Sequence, residues 1–287
     1  MLLIKAIELF KRNLEYKQSS DETIIRYMKE MGYFNDYLSN ELNGMVYLET
    51  ITLNHLQDYL EEKINRGLQP SSINQIIYVF RSFYNFLVKK DYVLKNLAVK
   101  LEKLKTPTKE REYLTKKEFD QLLKAIDHAI VNVIAITIFN SGLRVSEIIS
   151  LKLEDVNLKE KTIKVLSGKG DKDRTVPMND NLVEVLRVYL ENTRPMVSTN
   201  NFFATKHSGT ISRAHINTIL KNASKEANLN KKVTSHILRH SFASYLLKKD
   251  VNLVNIQKLL GHSSLKTTAV YAHTNMKQLE KAVDVFA

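Results

Sequence analysis

The segment HILRHSFASYLLKKDVNLVNIQKLLGHSSLKTTAVY, residues 236–271, decides how the second half of this chain folds. Its apolar residues repeat at helical spacing as far as Leu260, and Gly261 follows where a helix is expected to end. Imidazole and guanidinium groups lie near its start, and a phenol is its last side chain. Guanidinium and imidazole groups fit the oxygens of a phosphate, and a tyrosine oxygen can act as a nucleophile. We therefore interpret the segment as half of a site that attacks a phosphate.

The composition indicates a globular protein with room for two domains. The chain has 287 residues, of which 44% are hydrophobic, and it has no cysteine, which excludes disulfides and thiolate metal sites. Residues 1–13 predict an amphipathic helix rather than a signal peptide. The longest apolar stretch, residues 129–139, is too short to span a bilayer. We expect a cytoplasmic protein without a membrane segment.

Positive charge is concentrated in the second half of the chain. The formal net charge is +12. Residues 1–105 hold 15 basic and 13 acidic residues, whereas residues 106–287 hold 28 basic and 18 acidic ones. This excess favours a polyanionic partner such as nucleic acid. A lysine-rich solvated surface explains the same counts, so charge alone leaves both interpretations open.

The first part of the chain, residues 1–105, predicts an all-helical domain of four helices. Its apolar residues follow helical spacing, and the aromatic ones are expected to form a core. Residues 106–112 lose this periodicity, contain Pro107 and predict a linker. The first helix is expected at about 2–17, and the second is expected to begin from a cap at Asp21. The third is expected to run from a cap at Thr52 to about Asn65, and the fourth to begin from a cap at Ser71 or Ser72.

Residues 113–287 predict a mixed, mostly helical domain with a small antiparallel sheet. Thr115 and Glu118 form a capping-box pattern at its first helix. Segments 161–166 and 174–178 predict a β-hairpin, and segment 202–205 is a candidate third strand. Further helices are expected at about 129–140, 145–151, 180–192, 212–228, 235–249, 252–260 and 275–285. The last of these has an apolar stripe that is expected to dock on a neighbouring subunit if its own domain offers no place for it.

Two candidate site residues lie on short turns. Arg144 stands in GLRVSE, near the start of a predicted helix, where a guanidinium and backbone N–H groups favour an anion. An isolated arginine is usually a surface residue, and Glu147 either orients it or faces solvent. Lys169 lies near the hairpin tip, where a lysine is usually only solvated. Its alternative is an ammonium that gives a proton to a leaving oxygen.

The HILRH motif also has two interpretations. His236 and Arg239 share a helical face, which suits a phosphate, but a capping histidine beside a surface arginine explains the same pattern. The two histidines at i,i+4 resemble a metal-binding pair. However, the glutamate of the zinc motif is missing, and Arg239 between them disfavours a bound cation.

Taken in order, these motifs form one pattern: GLRVSE at 142–147, GKGDKDR at 168–174, HILRH at 236–240, LGH at 260–262, and a tyrosine nine residues later. Their order and spacing resemble the tyrosine recombinase (phage integrase) family. The compact size is similar to that of the Xer-type recombinases of bacteria and archaea. The resemblance covers the second half closely, whereas the first half matches mainly in its expected all-helical, core-binding character.

The resemblance implies a role for each of six residues. Tyr271 would attack the scissile phosphate and form a 3′-phosphotyrosyl link. Arg144 and Arg239 would hold the non-bridging oxygens, and Lys169 would protonate the leaving 5′ oxygen. His236 would assist proton transfer and His262 would hydrogen-bond the phosphate. No metal, ATP or other cofactor is implied.

The resemblance also implies partners. The two domains would clamp a double-stranded DNA recombination site, and a tetramer on two such sites would exchange strands through a four-way (Holliday) junction. A homo-tetramer, a hetero-tetramer with a related recombinase, and a requirement for an activator protein all stay open. The alternatives are a mobile-element integrase, a type IB topoisomerase-like enzyme, and a non-catalytic architectural DNA-binding protein.

Overall fold

The structure, a computed structural model, describes residues 1–106, 112–166 and 173–261. These residues are mainly α-helical and include one small antiparallel sheet, which confirms the predicted fold class. The chain divides into two compact units, Met1–Lys109 and Glu110–Ala287. The predicted hairpin tip and the predicted helix at 275–285 lie outside the described residues, as do most of the linker residues. Within the described ranges, no helix is long and apolar enough to cross a membrane.

The first unit is an all-helical bundle with an aromatic core. Phe34 packs against Tyr59 and Phe80 with ring centroids 5.2 and 4.7 Å apart, and Phe10 meets Phe83 at 5.4 Å. All five rings are buried, so these aromatic residues form the core that their spacing predicts. The helices are α1 (Leu3–Tyr16), α2 (Asp21–Glu41), α3 (Leu53–Asn65) and α4 (Pro70–Lys89).

The caps of these helices correct two predictions. Thr52 caps α3 as expected. The cap of α2 is Ser20, whose hydroxyl accepts from the backbone N–H of Thr23, and Asp21 is the first helical residue. Helix α4 begins at Pro70, earlier than the predicted serine caps, because proline has no N–H to satisfy and its φ suits the first helical position.

The second unit combines seven helices of the described residues with the sheet. Thr115 and Glu118 form the predicted capping box at its first helix, and Glu118 also binds Lys231. The helices are α5 (Lys116–Ala125), α6 (Ala129–Ser141), α7 (Val145–Ser150), α8 (Asp180–Val188), α9 (Arg213–Glu226), α10 (Ser235–Lys248) and α11 (Leu253–Leu260).

The sheet has three strands, β1 (Val156–Asn157), β2 (Thr162–Val165) and β3 (Arg174–Pro177), in that order and antiparallel throughout. Strands β2 and β3 agree with the predicted hairpin. The prediction of a strand at 202–205 is wrong. The N–H of Phe202 donates to Leu151 O at 2.7 Å beside a single bridge between Lys152 and Asn201, but residues 202–205 form no strand.

Helix α6 forms the centre of the second unit. It is apolar almost all round, as expected of a helix covered on every side. Phe139 on α6 stacks on Phe119 of α5 with ring centroids 3.8 Å apart. The helix ends at Gly142, whose φ of +67° turns the chain directly into α7. A Cβ there would lie 2.4 Å from Phe242, so α10 packs closely against this turn.

Candidate active site

Arg144 lies at the N-terminal boundary of α7 and is held by Glu147 one turn later. Its backbone N–H donates to Glu147 Oε2 at 2.7 Å, and its Nη1 donates to Glu147 Oε1 at 2.8 Å. Nη2 donates to Gly261 O at 2.9 Å. Of the two roles left open for Glu147, the geometry gives the orienting one. The backbone N–H of Arg144 itself is used by Glu147, and the expectation that this turn favours an external anion stays a prediction.

Arg239 of α10 approaches the same carboxylate from a distant part of the chain. Its side chain is buried, with 5% of the residue exposed. Nη1 donates to Gly142 O at 2.7 Å and Nη2 donates to Leu260 O at 2.6 Å. Nη1 also lies 3.8 Å from Glu147 Oε2. The two arginines that the sequence singles out therefore meet at one glutamate.

Arg174, the first residue of β3, is a third arginine at this carboxylate. Nη1 and Nη2 donate to the two oxygens of Glu147, each at 2.8 Å, in a bidentate pair. In the sequence analysis Arg174 appears only as the last residue of the GKGDKDR motif, without a role of its own. Alternation along β3 was the available signal, because Arg174 stands two residues before the buried Val176 and so shares its face.

Glu147 stays ionised although it is buried. Desolvation raises the pKa of this carboxyl group, but hydrogen bonds from Arg174 and from the Arg144 backbone lower it, as do the charges of Arg174 and Arg239. The net result is a pKa below the ordinary value. Three guanidiniums around one carboxylate leave this group of four side chains with a surplus of two positive charges.

The C-terminal end of α11 completes the cluster. Three consecutive carbonyls there each accept from a different arginine: Leu259 O from Arg174 Nε at 3.0 Å, Leu260 O from Arg239, and Gly261 O from Arg144. The last carbonyls of a helix lack partners within the helix and carry partial negative charge. They therefore fix the directions of all three guanidinium groups.

His236 lies in the first turn of α10, one turn before Arg239. Its Nε2 is 3.1 Å from Nη2 of Arg213, a residue that the sequence interpretation did not select. The pKa of His236 is lowered, first by desolvation of the ring and then by the charges of Arg213 and Arg239. The imidazole is thus held in its neutral form, which can accept a proton.

Three predicted site residues, Lys169, His262 and Tyr271, lie outside the described residues. The described part of the second unit nevertheless ends at Gly261, directly before His262. Two of the three clustered arginines were predicted from sequence, and the third was found only in the structure.

Comparison with known proteins identifies the family. Residues 112–278 match the model of the phage integrase family, and residues 7–91 match that of the phage integrase N-terminal SAM-like domain. The chain belongs to the phage integrase family. Its members are the tyrosine recombinases, and this chain is a tyrosine site-specific recombinase whose reaction is DNA strand breakage and rejoining by transesterification.

Similarity to individual tyrosine recombinases extends over nearly the whole chain. The tyrosine recombinase XerD of Staphylococcus epidermidis is 34% identical over 279 residues, which cover 94% of each chain. The crystal structure of XerA recombinase is 27% identical, covers 99% of this chain and 98% of its own, and has a TM-score of 0.55. A Tn1549 transposon integrase in complex with transposon right end DNA shares the fold at 18% identity, with 99% of each chain covered and a TM-score of 0.79. The similarity to XerD supports a Xer-type recombinase.

The arginine cluster has the properties that transesterification at a phosphate requires. A phosphodiester gains negative charge as a nucleophile adds to it, and fixed cations stabilise that charge without reorganising. Arg144 and Arg239 are two cations whose directions are set by Glu147 and by backbone carbonyls. In this recombinase the fold thus brings guanidinium groups from positions 95 residues apart to one carboxylate, an arrangement suited to an anion.

Proposed function

We propose that this recombinase cuts and rejoins double-stranded DNA through a 3′-phosphotyrosyl intermediate at Tyr271. The observation that carries the proposal is the convergence of Arg144, Arg174 and Arg239 on Glu147, which leaves two surplus positive charges. The segment that holds His262 and Tyr271 follows directly after Gly261, whose carbonyl accepts from Arg144. A phosphate drawn to this cluster would lie near the part of the chain that supplies the nucleophile.

The six residues divide the reaction between them. Arg144 and Arg239 hold the non-bridging oxygens and stabilise the transition state. Tyr271 displaces the 5′ oxygen, which Lys169 protonates. His236, whose pKa lies below its ordinary value, is suited to take the tyrosine proton, and His262 donates a hydrogen bond to the phosphate. Rejoining reverses these steps with the 5′-hydroxyl of the partner strand as nucleophile.

The assembly follows from strand exchange between two duplexes. Residues 1–105 form a core-binding domain, residues 106–112 a linker, and residues 113–287 the catalytic domain with a C-terminal docking helix. The two domains clamp DNA, and four subunits on two sites pass through a Holliday junction. The tetramer is formed by this chain alone or with a related recombinase, and an activator protein is a further possible partner.

We further propose that the natural task is the Xer-type resolution of chromosome or plasmid dimers, carried out in the cytoplasm at the nucleoid. Support comes from the similarity to XerD, which extends over nearly the full length of both chains. A mobile-element integrase would use the same chemistry. Reaction on directly repeated chromosomal sites should give two circles and a detectable four-way intermediate. Relaxation of supercoils without junctions would instead indicate a topoisomerase-like activity.

The Tyr271→Phe variant tests the nucleophile. On a nicked suicide substrate, the wild-type protein should form a covalent protein–DNA adduct that maps to Tyr271 by mass spectrometry. Tyr271→Phe should bind the same DNA without an adduct, because it lacks the phenol oxygen. Tyr245→Phe, which alters an exposed tyrosine on α10, is the matched control and should still form the adduct. An adduct with Tyr271→Phe would contradict the assignment.

A further inference from the structure

We propose that Arg174 is a positioning residue of the recombination reaction, acting through Glu147 on the two phosphate-binding arginines. This inference rests on the proposed function, which assigns Arg144 and Arg239 to the phosphate. Arg174 is not a catalytic residue in this proposal. It determines where the other two guanidiniums lie.

The contacts of Arg174 point inward. Its side chain is only 10% exposed, and three of its N–H groups bond Glu147 Oε1, Glu147 Oε2 and Leu259 O. A side chain so enclosed offers little surface to a DNA backbone. Loss of Arg174 should therefore impair the chemical step more than the affinity for DNA.

Glu147 links Arg174 to the proposed phosphate-binding pair. Its two oxygens accept from Arg174 and from the backbone and Nη1 of Arg144, and Oε2 also lies 3.8 Å from Arg239 Nη1. A buried carboxylate that loses partners is strongly destabilised unless other donors replace them. The nearest remaining donors are the guanidinium of Arg144, which already binds Glu147, and that of Arg239, and both would be drawn further toward Glu147 and away from a phosphate. Arg174 thus satisfies Glu147 and leaves the other two arginines correctly placed.

Arg174 also connects three elements, β3, α7 and α11, which a lysine could connect only in part. Its bidentate pair holds the start of β3 to α7, and its Nε holds β3 to the end of α11. A Cβ on Gly261 would lie 2.7 Å from Arg174 Nη1, so the guanidinium packs directly under this glycine. Lysine keeps the charge but lacks the planar fork, so it can maintain only part of this arrangement.

The first experiment compares Arg174→Gln, Arg174→Lys and Arg194→Gln in the full chain. Arg194 is the matched control, because it is a partly buried arginine of the same unit. Among the residues that the structure describes, it bonds only backbone carbonyls of residues 199–202. Single-turnover cleavage of a suicide substrate should fall about 100-fold in Arg174→Gln, the loss typical of a misplaced site. Arg174→Lys should lose less, Arg194→Gln should cleave normally, and DNA affinity should change little in all three.

The second experiment asks whether Arg174 acts through Glu147. In a Glu147→Gln background, Arg174→Gln should add little further loss, because the link has already been removed. The pH below which the cleavage rate declines should be higher in Arg174→Gln than in the wild type, since a hydrogen bond that lowers the Glu147 pKa is gone. A merely structural loss would slow cleavage at every pH without changing the pH at which this decline begins.

A third readout does not depend on activity. The Nε–H resonances of Arg144 and Arg239 in NMR spectra should shift in Arg174→Gln and in Arg174→Lys, but not in Arg194→Gln. Unchanged resonances, normal cleavage by Arg174→Gln, or fully additive losses with Glu147→Gln would each overturn the positioning role. Failure of the wild-type protein to form the Tyr271 adduct would instead overturn the proposed function. The resonances would still test whether Arg174 positions Arg144 and Arg239 through Glu147.

Discussion

At the scale of single residues, the site depends on how charges are paired rather than on how many there are. Glu147 is 11% exposed and would be unfavourable as an isolated anion, yet three guanidiniums keep it ionised. His236 shows the opposite effect, because desolvation of its ring and then the charges of Arg213 and Arg239 lower its pKa. Arg239 thus acts on both groups, favouring the charged carboxylate and disfavouring the charged imidazole.

The lowered pKa of His236 predicts a defined pH response. The folded state binds the proton less readily than the unfolded state, whose histidine titrates near its ordinary value of about 6.5. The stabilising contribution is therefore complete above that value and is lost as the pH falls through it toward the folded pKa. In Arg213→Gln, the pKa of His236 should rise toward the ordinary value, as followed by NMR titration of the imidazole.

Arg187→Gln provides the control for this titration. Arg187 lies on α8, where it pairs with Glu184 and Glu191 and makes no described contact with His236. This variant should leave the His236 titration unchanged. An equal shift in both variants would mean that net charge, rather than the Arg213 contact, sets the pKa.

At the scale of elements, the site depends on where helices end. Helix α6 ends at Gly142 and α11 ends at Gly261, and both glycines have positive φ. The carbonyls at these ends, which have no partner within their helices, bind Arg239, Arg144 and Arg174. Helix termination and arginine placement are therefore one structural feature.

Gly142→Ala should destabilise the second unit. Its φ of +67° costs a non-glycine residue about 1–2 kcal/mol. The added Cβ would also lie 2.4 Å from Phe242 and 2.9 Å from Leu260, and overpacking of this kind costs about 1–3 kcal/mol. The free energy of unfolding, measured by urea denaturation and circular dichroism, should therefore fall by about 2–5 kcal/mol, the sum of the two effects.

Gly32→Ala is the matched control. Gly32 lies inside α2, where nothing is within 4 Å of an added Cβ, so alanine should stabilise the helix by about 0.5–1 kcal/mol. No loss of stability at Gly142 would show that the close packing of α6, α10 and α11 is not as described. A loss at Gly32 would show that the space beside α2 is not as described.

At the scale of the whole molecule, positive charge is concentrated in the part of the chain that we propose to be catalytic. The part of the chain that holds the arginine cluster, residues 106–287, carries most of the net +12 charge. Each phosphate that a basic side chain neutralises releases counterions, so affinity for DNA must depend on salt.

Binding of the full chain to duplex DNA should weaken steeply with salt. If about six to ten phosphates are contacted, affinity should fall roughly 10³-fold or more between 50 and 200 mM salt. Fluorescence anisotropy with a labelled duplex measures this slope directly. Arg174→Gln should keep the slope, since Arg174 is enclosed, and a flat response of the wild-type protein would contradict a basic DNA-binding face.

The sequence by itself determined the helical character of both units, the β2–β3 hairpin strands and the Thr52 and Thr115 caps, because these depend on local periodicity and capping chemistry. It also determined the family, because motif order and spacing are properties of the chain. It misjudged the 202–205 segment, since an apolar run does not reveal which neighbour will pair with it.

Only the tertiary structure decided that Arg144, Arg174 and Arg239 share one glutamate and three consecutive carbonyls of α11. These residues are far apart in sequence, and apart from the alternation along β3, their local patterns do not distinguish a buried arginine from a solvated one. Burial and partner choice arise when α6, α10, α11 and β3 pack together. At that point each enclosed charge must find the donors or acceptors that the fold brings within reach.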